Sequence, residues 1–152
     1  MTFEVVNPVA LGSPRGWNNG MLAEEGGRVL FVAGQIGVEG DGGVAVTGME
    51  GQFRAALANV VRVVEEAGGV VADVGRLTIY VTDMEAYRGS LAGIGAGYRA
   101  VFGKHFPAMA LVAVTELVDP RAVVEVEATA VIPQAQSGDI RATRPASSTE
   151  KP

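Results

Sequence analysis

The chain has 152 residues, 48% of them hydrophobic, which is enough for the core of one domain and too few for two ordinary ones. It contains no cysteine and one histidine, so disulfides, thiolate catalysis and multi-histidine metal centres are excluded. The formal net charge of −5 argues against nucleic acid as a partner, because such surfaces depend on Lys and Arg to neutralise phosphates.

The first patterned segment is a short, mostly apolar run at residues 29–36, flanked by glycines, which predicts a buried strand. A turn is predicted at residues 40–43, which read Gly-Asp-Gly-Gly. Thr47 and Glu50 have the spacing of a capping box, in which each side chain satisfies a free amide of the first helical turn. We therefore expect a helix to begin at this point.

That helix is predicted from apolar residues at i, i+3, i+4 and i+7 spacing, and Gly68-Gly69 ends it. Its apolar face consists of Phe53, Ala56, Leu57, Val60, Val61, Val64 and Ala67. Residues 76–82 then alternate polar and apolar, as a half-buried strand does. Asp83 is positioned to cap a second helix, whose apolar face consists of Tyr87, Leu91, Ile94, Tyr98, Val101 and Phe102.

The second helix is unusually rich in glycine. The spacing from Gly93 to Gly97 is not G-x-G-x-x-G and lies inside a helix, which disfavours a nucleotide-binding loop. Each glycine in a helix interior costs up to ~1 kcal/mol relative to alanine. We therefore expect close packing there, against the sheet or against a neighbouring subunit.

The last patterned segment predicts a hairpin, with strands at residues 106–114 and 123–131 joined by a turn at Asp119-Pro120. Glu125 and Glu127 share one face of the second strand because side chains alternate with period two. Two carboxylates on one face are typical either of an acid/base site or of a sheet face that is exposed to solvent. The apolar residues that alternate with the pair predict that the opposite face belongs to the core.

Together these elements predict an α+β fold, in which two helices lie on one face of a mixed sheet. The predicted order is strand, strand, helix, strand, helix, strand, strand. Residues 1–133 form the predicted single domain, and the polar stretch 134–152 is a predicted disordered tail. No apolar run reaches the ~18 residues of a membrane span, so we expect a cytoplasmic protein with no membrane partner.

Two isolated residues are ambiguous. His105 follows a predicted helix, where we expect the imidazole to cap the helix end, because it interacts well with the negative end of the helix dipole. Trp17 is in a Gly/Asn-rich loop beside Arg15, where it lines a pocket or anchors the loop.

Several short motifs, taken in order, resemble the Rid (reactive intermediate/imine deaminase) family from about residue 7 to residue 132. They include the strand ending in Ala33-Gly-Gln, the helix with Gln52 and Asn59, Tyr80-Val-Thr-Asp, and the closing Val123-Val-Glu-Val-Glu-Ala strand. The resemblance implies a chorismate-mutase-like protomer, a homotrimer with a barrel-like core, small-molecule clefts between subunits and no cofactor. It also implies hydrolysis of imines or enamines by water and a carboxylate.

Within that resemblance, Glu125 matches the catalytic glutamate, and Gly34 and Gln35 match the glycine and glutamine of the cleft strand. Met109 stands where deaminating members have an arginine that binds the substrate carboxylate. Ala33 replaces a serine. The other predicted substrate-binding residues are Arg15, Trp17, Gly95, Tyr98 and Leu111.

Three hypotheses follow. The first is an imine or enamine hydrolase with a changed substrate, either without a carboxylate or with one bound by Arg15 or Arg121. The second is a non-catalytic trimer that binds a metabolite in the same clefts. The third is the ribonuclease activity that some family labels carry, which the net charge of −5 disfavours.

Overall fold

The computed structural model describes residues 3–37 and 48–134 and has an α+β fold. The predicted turn at residues 40–43, Thr47, and all of the predicted tail except Gln134 lie outside the described residues.

The N-terminal segment forms a small two-stranded sheet that the sequence pattern did not predict. Strand β1 (Phe3–Val6) pairs antiparallel with β2 (Gly20–Ala23), so three strands precede the first helix where two were expected. Phe3 is the buried residue of β1. Its ring covers Gly75, where a Cβ would lie 2.6 Å from the ring, and this contact anchors the small sheet to the main one.

The main sheet has four described strands. They are β3 (Arg28–Ile36), β4 (Val74–Val81), β5 (Ala108–Ala113) and β6 (Val124–Ile132), and their order across the sheet is β3-β6-β4-β5. Strand β6 runs antiparallel to both of its neighbours, whereas β4 and β5 are parallel. The mixed sheet is therefore confirmed.

The predicted closing hairpin is wrong, because β4 lies between β5 and β6. The turn at Asp119 exists, and its carboxylate accepts a hydrogen bond from the Arg121 backbone at 2.9 Å. It joins two strands, β5 and β6, that are separated by one strand in the sheet. Parallel strands need a crossover, and the helices between β4 and β5 provide it.

Strand β6 alternates strictly between buried and half-buried residues. Val124, Val126 and Ala128 face the helices, whereas Glu125 and Glu127 lie on the opposite face, as predicted. The strand predicted at residues 76–82 begins two residues earlier and ends one residue earlier than expected.

Helix α1 (Met49–Glu66) packs against β3 and β6. Its N-cap is Gly48, whose positive φ of 80° suits glycine, whereas the capping box predicted with Thr47 lies outside the described residues. Its end is confirmed. The backbone amides of Gly68 and Gly69 donate to the carbonyls of Glu65 and Val64, both at 2.9 Å, which is a Schellman motif.

The second predicted helix is two helices, α2 (Met84–Gly89) and α3 (Leu91–Phe102), separated at Ser90. Asp83 caps α2 as expected and accepts from the Ala86 amide at 2.9 Å. Gly93 and Gly97 of α3 pack closely against helix α1, and not against the sheet. A Cβ at Gly97 would lie 3.3 Å from that of Arg54, and one at Gly93 would overlap the Glu50 carboxylate.

Two amides on α1 hold the backbone of the segments beside the sheet. Gln52 is buried, donates to the Arg121 carbonyl at 3.0 Å and accepts from the Val123 amide at 2.8 Å. Asn59 donates to the Ile36 carbonyl at 3.1 Å. Gln52 therefore fixes the entry to β6, and Asn59 fixes the end of β3.

Substituting Gln52 with Ala is expected to lower the free energy of unfolding by about 2–4 kcal/mol, because two part-buried backbone groups lose their hydrogen-bond partner and a cavity remains at a buried position. Chemical denaturation measures the loss. Glu66→Ala, at an exposed position of the same helix, is the control and should change stability by less than ~0.5 kcal/mol. A Gln52→Ala variant as stable as this control would contradict the structural role.

Candidate functional site

A cavity of about 660 Å³ lies on the helix-covered side of β5, below the loop that carries Trp17. Strands β4 and β5, all three helices and the N-terminal loop contribute its walls. Its lining residues are Arg15, Gly16, Trp17, Phe53, Ile79, Tyr87, Leu91, Ile94, Gly95, Tyr98, Arg99, Phe106, Met109 and Leu111. Most of this surface is apolar or aromatic, which is typical of small-molecule sites.

The loop above the cavity is held by asparagine hydrogen bonds. Asn18 donates its side-chain amide to the Phe106 carbonyl at 2.6 Å and its backbone amide to the Pro107 carbonyl at 3.2 Å. Asn7 donates to the Asn18 side chain at 2.8 Å. Because Asn18 anchors the loop, Trp17 is left to line the cavity, and it remains 44% exposed.

Tyr98 is a structural wall of the cavity. Its hydroxyl donates to the His105 carbonyl at 2.7 Å, and its ring stacks on that of Phe106 with the ring centroids 5.4 Å apart. Burial raises the pKa of its phenol, so Tyr98 stays protonated.

The His105 ring does not cap α3 as predicted. Its Nε2 donates to the Val74 carbonyl at 2.7 Å and ties the chain after α3 to β4.

The floor of the cavity is formed by Met109 and Leu111 on β5. They pair in register with Leu77 and Ile79 of β4, whose side chains belong to the core, so both face the helices. On α3, Gly95 lies under the Arg99 guanidinium, and a Cβ at Gly95 would be 3.2 Å from its Nη1. The floor of the cavity thus consists of the Met109 thioether and the aliphatic Leu111 side chain, and the Arg99 guanidinium lies on the opposite wall.

Glu125 lies on the other face of the sheet, in register with Tyr80 of β4. A Cβ at Gly34 would overlap the Glu125 carboxylate, so glycine leaves the space that this carboxylate fills. Tyr80 donates to Glu127 at 3.2 Å. Its pKa is raised, by desolvation first and then by the hydrogen bond to Glu127 and the charge of that residue. The Glu127 carboxylate thus has a partner, whereas the Glu125 carboxylate has no hydrogen bond or salt bridge within residues 3–37 and 48–134.

Ala33 and Gly34 lie in an irregular stretch of β3. The register against β6 shifts between Val32 and Gln35, which is the signature of a β-bulge. The Gln35 side-chain amide donates to the Ala33 carbonyl at 3.0 Å, so it is turned back on its own strand. The bulge presents its backbone beside Glu125.

The predicted site residues therefore form two groups within the chain. The first group lines the cavity and consists of Arg15, Trp17, Gly95, Tyr98, Met109 and Leu111. The second group lies on β3 and β6 and consists of Ala33, Gly34, Gln35 and Glu125. A single subunit does not bring Glu125 and Met109 together, because β4 separates their strands and they face opposite sides.

Arg121 belongs to neither group. Its guanidinium donates to both carboxylate oxygens of Asp119, at 3.0 and 2.7 Å, within the turn before β6. These hydrogen bonds lower the pKa of the Asp119 carboxyl to about 2. Arg121 is thus occupied by its own turn and does not line the cavity.

Sequence reasoning missed Arg99, Tyr87 and Phe106 as cavity residues. Arg99 follows Gly95 by four residues, and side chains at this spacing share a helix face. That spacing alone was enough to place Arg99 beside Gly95. Tyr87 was assigned to the apolar face of a single helix, and only the break at Ser90 shows how α2 closes one end of the cavity.

Comparison with known proteins decides the family. Residues 10–132 match the family model described as Endoribonuclease L-PSP. The crystal structure of YyfB from Yersinia pestis, a Rid family protein of unknown function, matches 87% of this chain and 100% of its own with a TM-score of 0.76 and 32% identity. The chain belongs to the Rid family.

Other Rid proteins carry names that describe a reaction or a ligand. The 2-iminobutanoate/2-iminopropanoate deaminase of Salmonella typhimurium is 36% identical over 109 residues, which are 69% of this chain and 80% of the relative. Escherichia coli TdcF with bound serine has a TM-score of 0.60 and 29% identity over 79% of this chain and 91% of its own. The predicted α+β Rid fold is thus confirmed.

Across the described part of the chain, every helix is too short or too polar to cross a membrane.

Proposed function

We propose that this Rid protein hydrolyses a small imine or enamine, with water activated by Glu125 and the substrate held over the apolar cavity floor. One observation supports this most strongly. The carboxylate of Glu125 is half-buried, faces the bulge at Gly34 and is unpaired among the described residues, as a general base for water requires. The Salmonella typhimurium relative is named for an imine deamination.

The proposed chemistry needs one carboxylate and one water. Glu125 accepts a proton from the water while the water oxygen bonds to the carbon of the C=N group. That proton is then delivered to nitrogen, which gives a carbinolamine. Glu125 next takes the proton of the new hydroxyl and passes it to nitrogen, so that the C–N bond breaks as the C=O bond forms, and a carbonyl compound and ammonia are released. An enamine enters the same sequence after it takes up a proton at carbon. Because a C=N bond is already electrophilic, positioning and general acid/base catalysis suffice.

The proposal requires two subunits for each cleft. Glu125 and the cavity lie on opposite faces of one sheet, so a neighbouring subunit in a homotrimer would bring them together. The uncovered face carries apolar groups that favour assembly: Phe31 is 81% exposed, and Val29 and Val112 are also exposed. The loss of an arginine at position 109 changes the substrate, since a methionine cannot bind a carboxylate.

A non-catalytic trimer that binds a metabolite is the second candidate. It is favoured by Met109 and Leu111 on the cavity floor, because neither side chain binds or polarises a reacting group. Under this alternative the cavity retains its ligand without turnover.

A panel of imines, generated in place from different amino acids and amines, tests the proposal through the rate of ammonia release. We expect at least one imine to be hydrolysed well above its rate in buffer. No acceleration on any imine, together with a ligand that raises the melting temperature, would instead establish the binding trimer.

A further inference from the structure

We propose that Arg99, together with Arg15, binds the carboxylate of the ligand at the mouth of the cavity. The apolar body of the ligand then lies over Met109 and Leu111. The ligand class is an organic acid with a branched or aromatic tail. This inference rests on the cavity used in the proposed function, but it concerns binding and not catalysis.

The charge distribution of the cavity supports an anionic ligand. Arg15 and Arg99 are the two charged residues among the described residues that line it, and no acidic side chain lines it. The chain as a whole has 17 acidic and 12 basic residues, so a wall with only positive charge departs from its average surface. Two guanidinium groups beside an apolar cavity attract an anion.

Gly95 determines where the Arg99 guanidinium lies. Its missing side chain leaves the space that the guanidinium occupies, since a Cβ there would be 3.2 Å from Nη1 and 3.9 Å from Cζ. The arginine side chain is thus folded back along its own helix toward the cavity. A larger residue at position 95 would push the guanidinium outward.

Both guanidinium groups are available. Within residues 3–37 and 48–134, neither the Arg15 nor the Arg99 guanidinium makes a salt bridge or a hydrogen bond. Arg121, by contrast, is held by Asp119. A planar guanidinium binds a carboxylate through two parallel hydrogen bonds, which makes it the side chain best suited to this ligand group.

The rest of the cavity selects the tail. Ile79, Ile94 and Phe53 surround the floor made by Met109 and Leu111. A cavity of about 660 Å³ is larger than a two- or three-carbon acid needs. Burial of branched or aromatic carbon adds affinity in proportion to its apolar area. We therefore place the group that binds the carboxylate at Arg99 on α3, whereas the family resemblance places it at position 109 on β5. The cavity then has room for a larger tail.

Trp17 provides the measurement, because it is the one tryptophan of the chain and lines this cavity. Its fluorescence is titrated with 4-methylpentanoate and with the neutral isostere 4-methylpentanamide. We expect the wild type to bind the acid about 10-fold or more tightly than the amide, which is the gain of charge-assisted hydrogen bonds. The preference should shrink at high ionic strength, since both arginines are exposed.

The substitutions Arg99→Gln and Gly95→Asn are expected to reduce the ratio of acid to amide affinity toward one, and Arg15→Gln to reduce it in part. Arg88→Gln, at an exposed position of α2 outside the cavity lining, should leave the ratio unchanged. The inference is overturned if the wild type binds acid and amide equally, or if Arg99→Gln keeps the wild-type ratio. The titration measures binding without turnover, so a failure of the proposed catalysis is distinguishable from a failure of this inference.

Discussion

Substituting Glu125 with Gln is expected to lower kcat for imine hydrolysis by about 10²–10⁴-fold, the usual contribution of a positioned general base. The amide has nearly the same shape and fills the same space beside Gly34, but it does not accept a proton from water. We therefore expect an unchanged melting temperature. Release of ammonia from the best imine of the panel measures the effect.

Glu127→Gln is the matched control, because it lies two residues away on the same face of β6. Its carboxylate accepts from Tyr80 at 3.2 Å, which gives it a structural partner that Glu125 lacks among the described residues. We expect this variant to retain activity within about 10-fold of the wild type. Equal losses in the two variants would assign the chemistry to the pair, and no loss in Glu125→Gln would refute the mechanism.

Substituting Met109 with Arg is expected to change the preferred substrate. A guanidinium on the cavity floor would bind the carboxylate of a small 2-imino acid through two charge-assisted hydrogen bonds. We expect kcat/KM for 2-iminopropanoate to rise by about 10-fold or more, in line with the value of such bonds. Turnover of imines with branched apolar tails should fall, because the floor on which the tail packs is removed.

Met109→Leu separates charge from shape. It keeps an apolar floor of similar volume, so neither substrate preference should move appreciably. A gain on 2-iminopropanoate in both variants would show that volume at position 109, and not charge, limits the wild type. No gain in Met109→Arg would show that this position does not contact the reacting molecule.

The order of strands could be predicted from the sequence only in part, and β5 and β6 show why. Both strands were located, because apolar runs and alternation are local properties. Their pairing was wrong because insertion of β4 between them depends on the crossover of α2 and α3, and contacts distant in sequence leave no local pattern. Strand β1 was missed because Phe3 alone is buried in it.

The candidate site was predictable where residues carry their own chemistry and not where geometry decides. Glu125 stood out as one of two carboxylates on an apolar strand, and Met109 as an apolar residue where the resemblance to the family implies a cation. That the two face opposite sides of the sheet became evident only from the register with Tyr80 and Leu77. Arg99 was missed although it follows the predicted site residue Gly95 by four residues, a spacing that places both on one helix face.

The central claim is that Glu125 of one subunit acts on a substrate held in the cavity of another, and subunit mixing tests it most directly. Glu125→Gln protein and Met109→Trp protein, whose cavity is filled, are each expected to be nearly inactive. Co-refolded in equal amounts, they should form hybrid trimers in which about one cleft in four is intact by random assortment. Recovery of about a quarter of wild-type turnover is the predicted result. Hybrids that mass spectrometry verifies but that remain as inactive as their parents would contradict the claim.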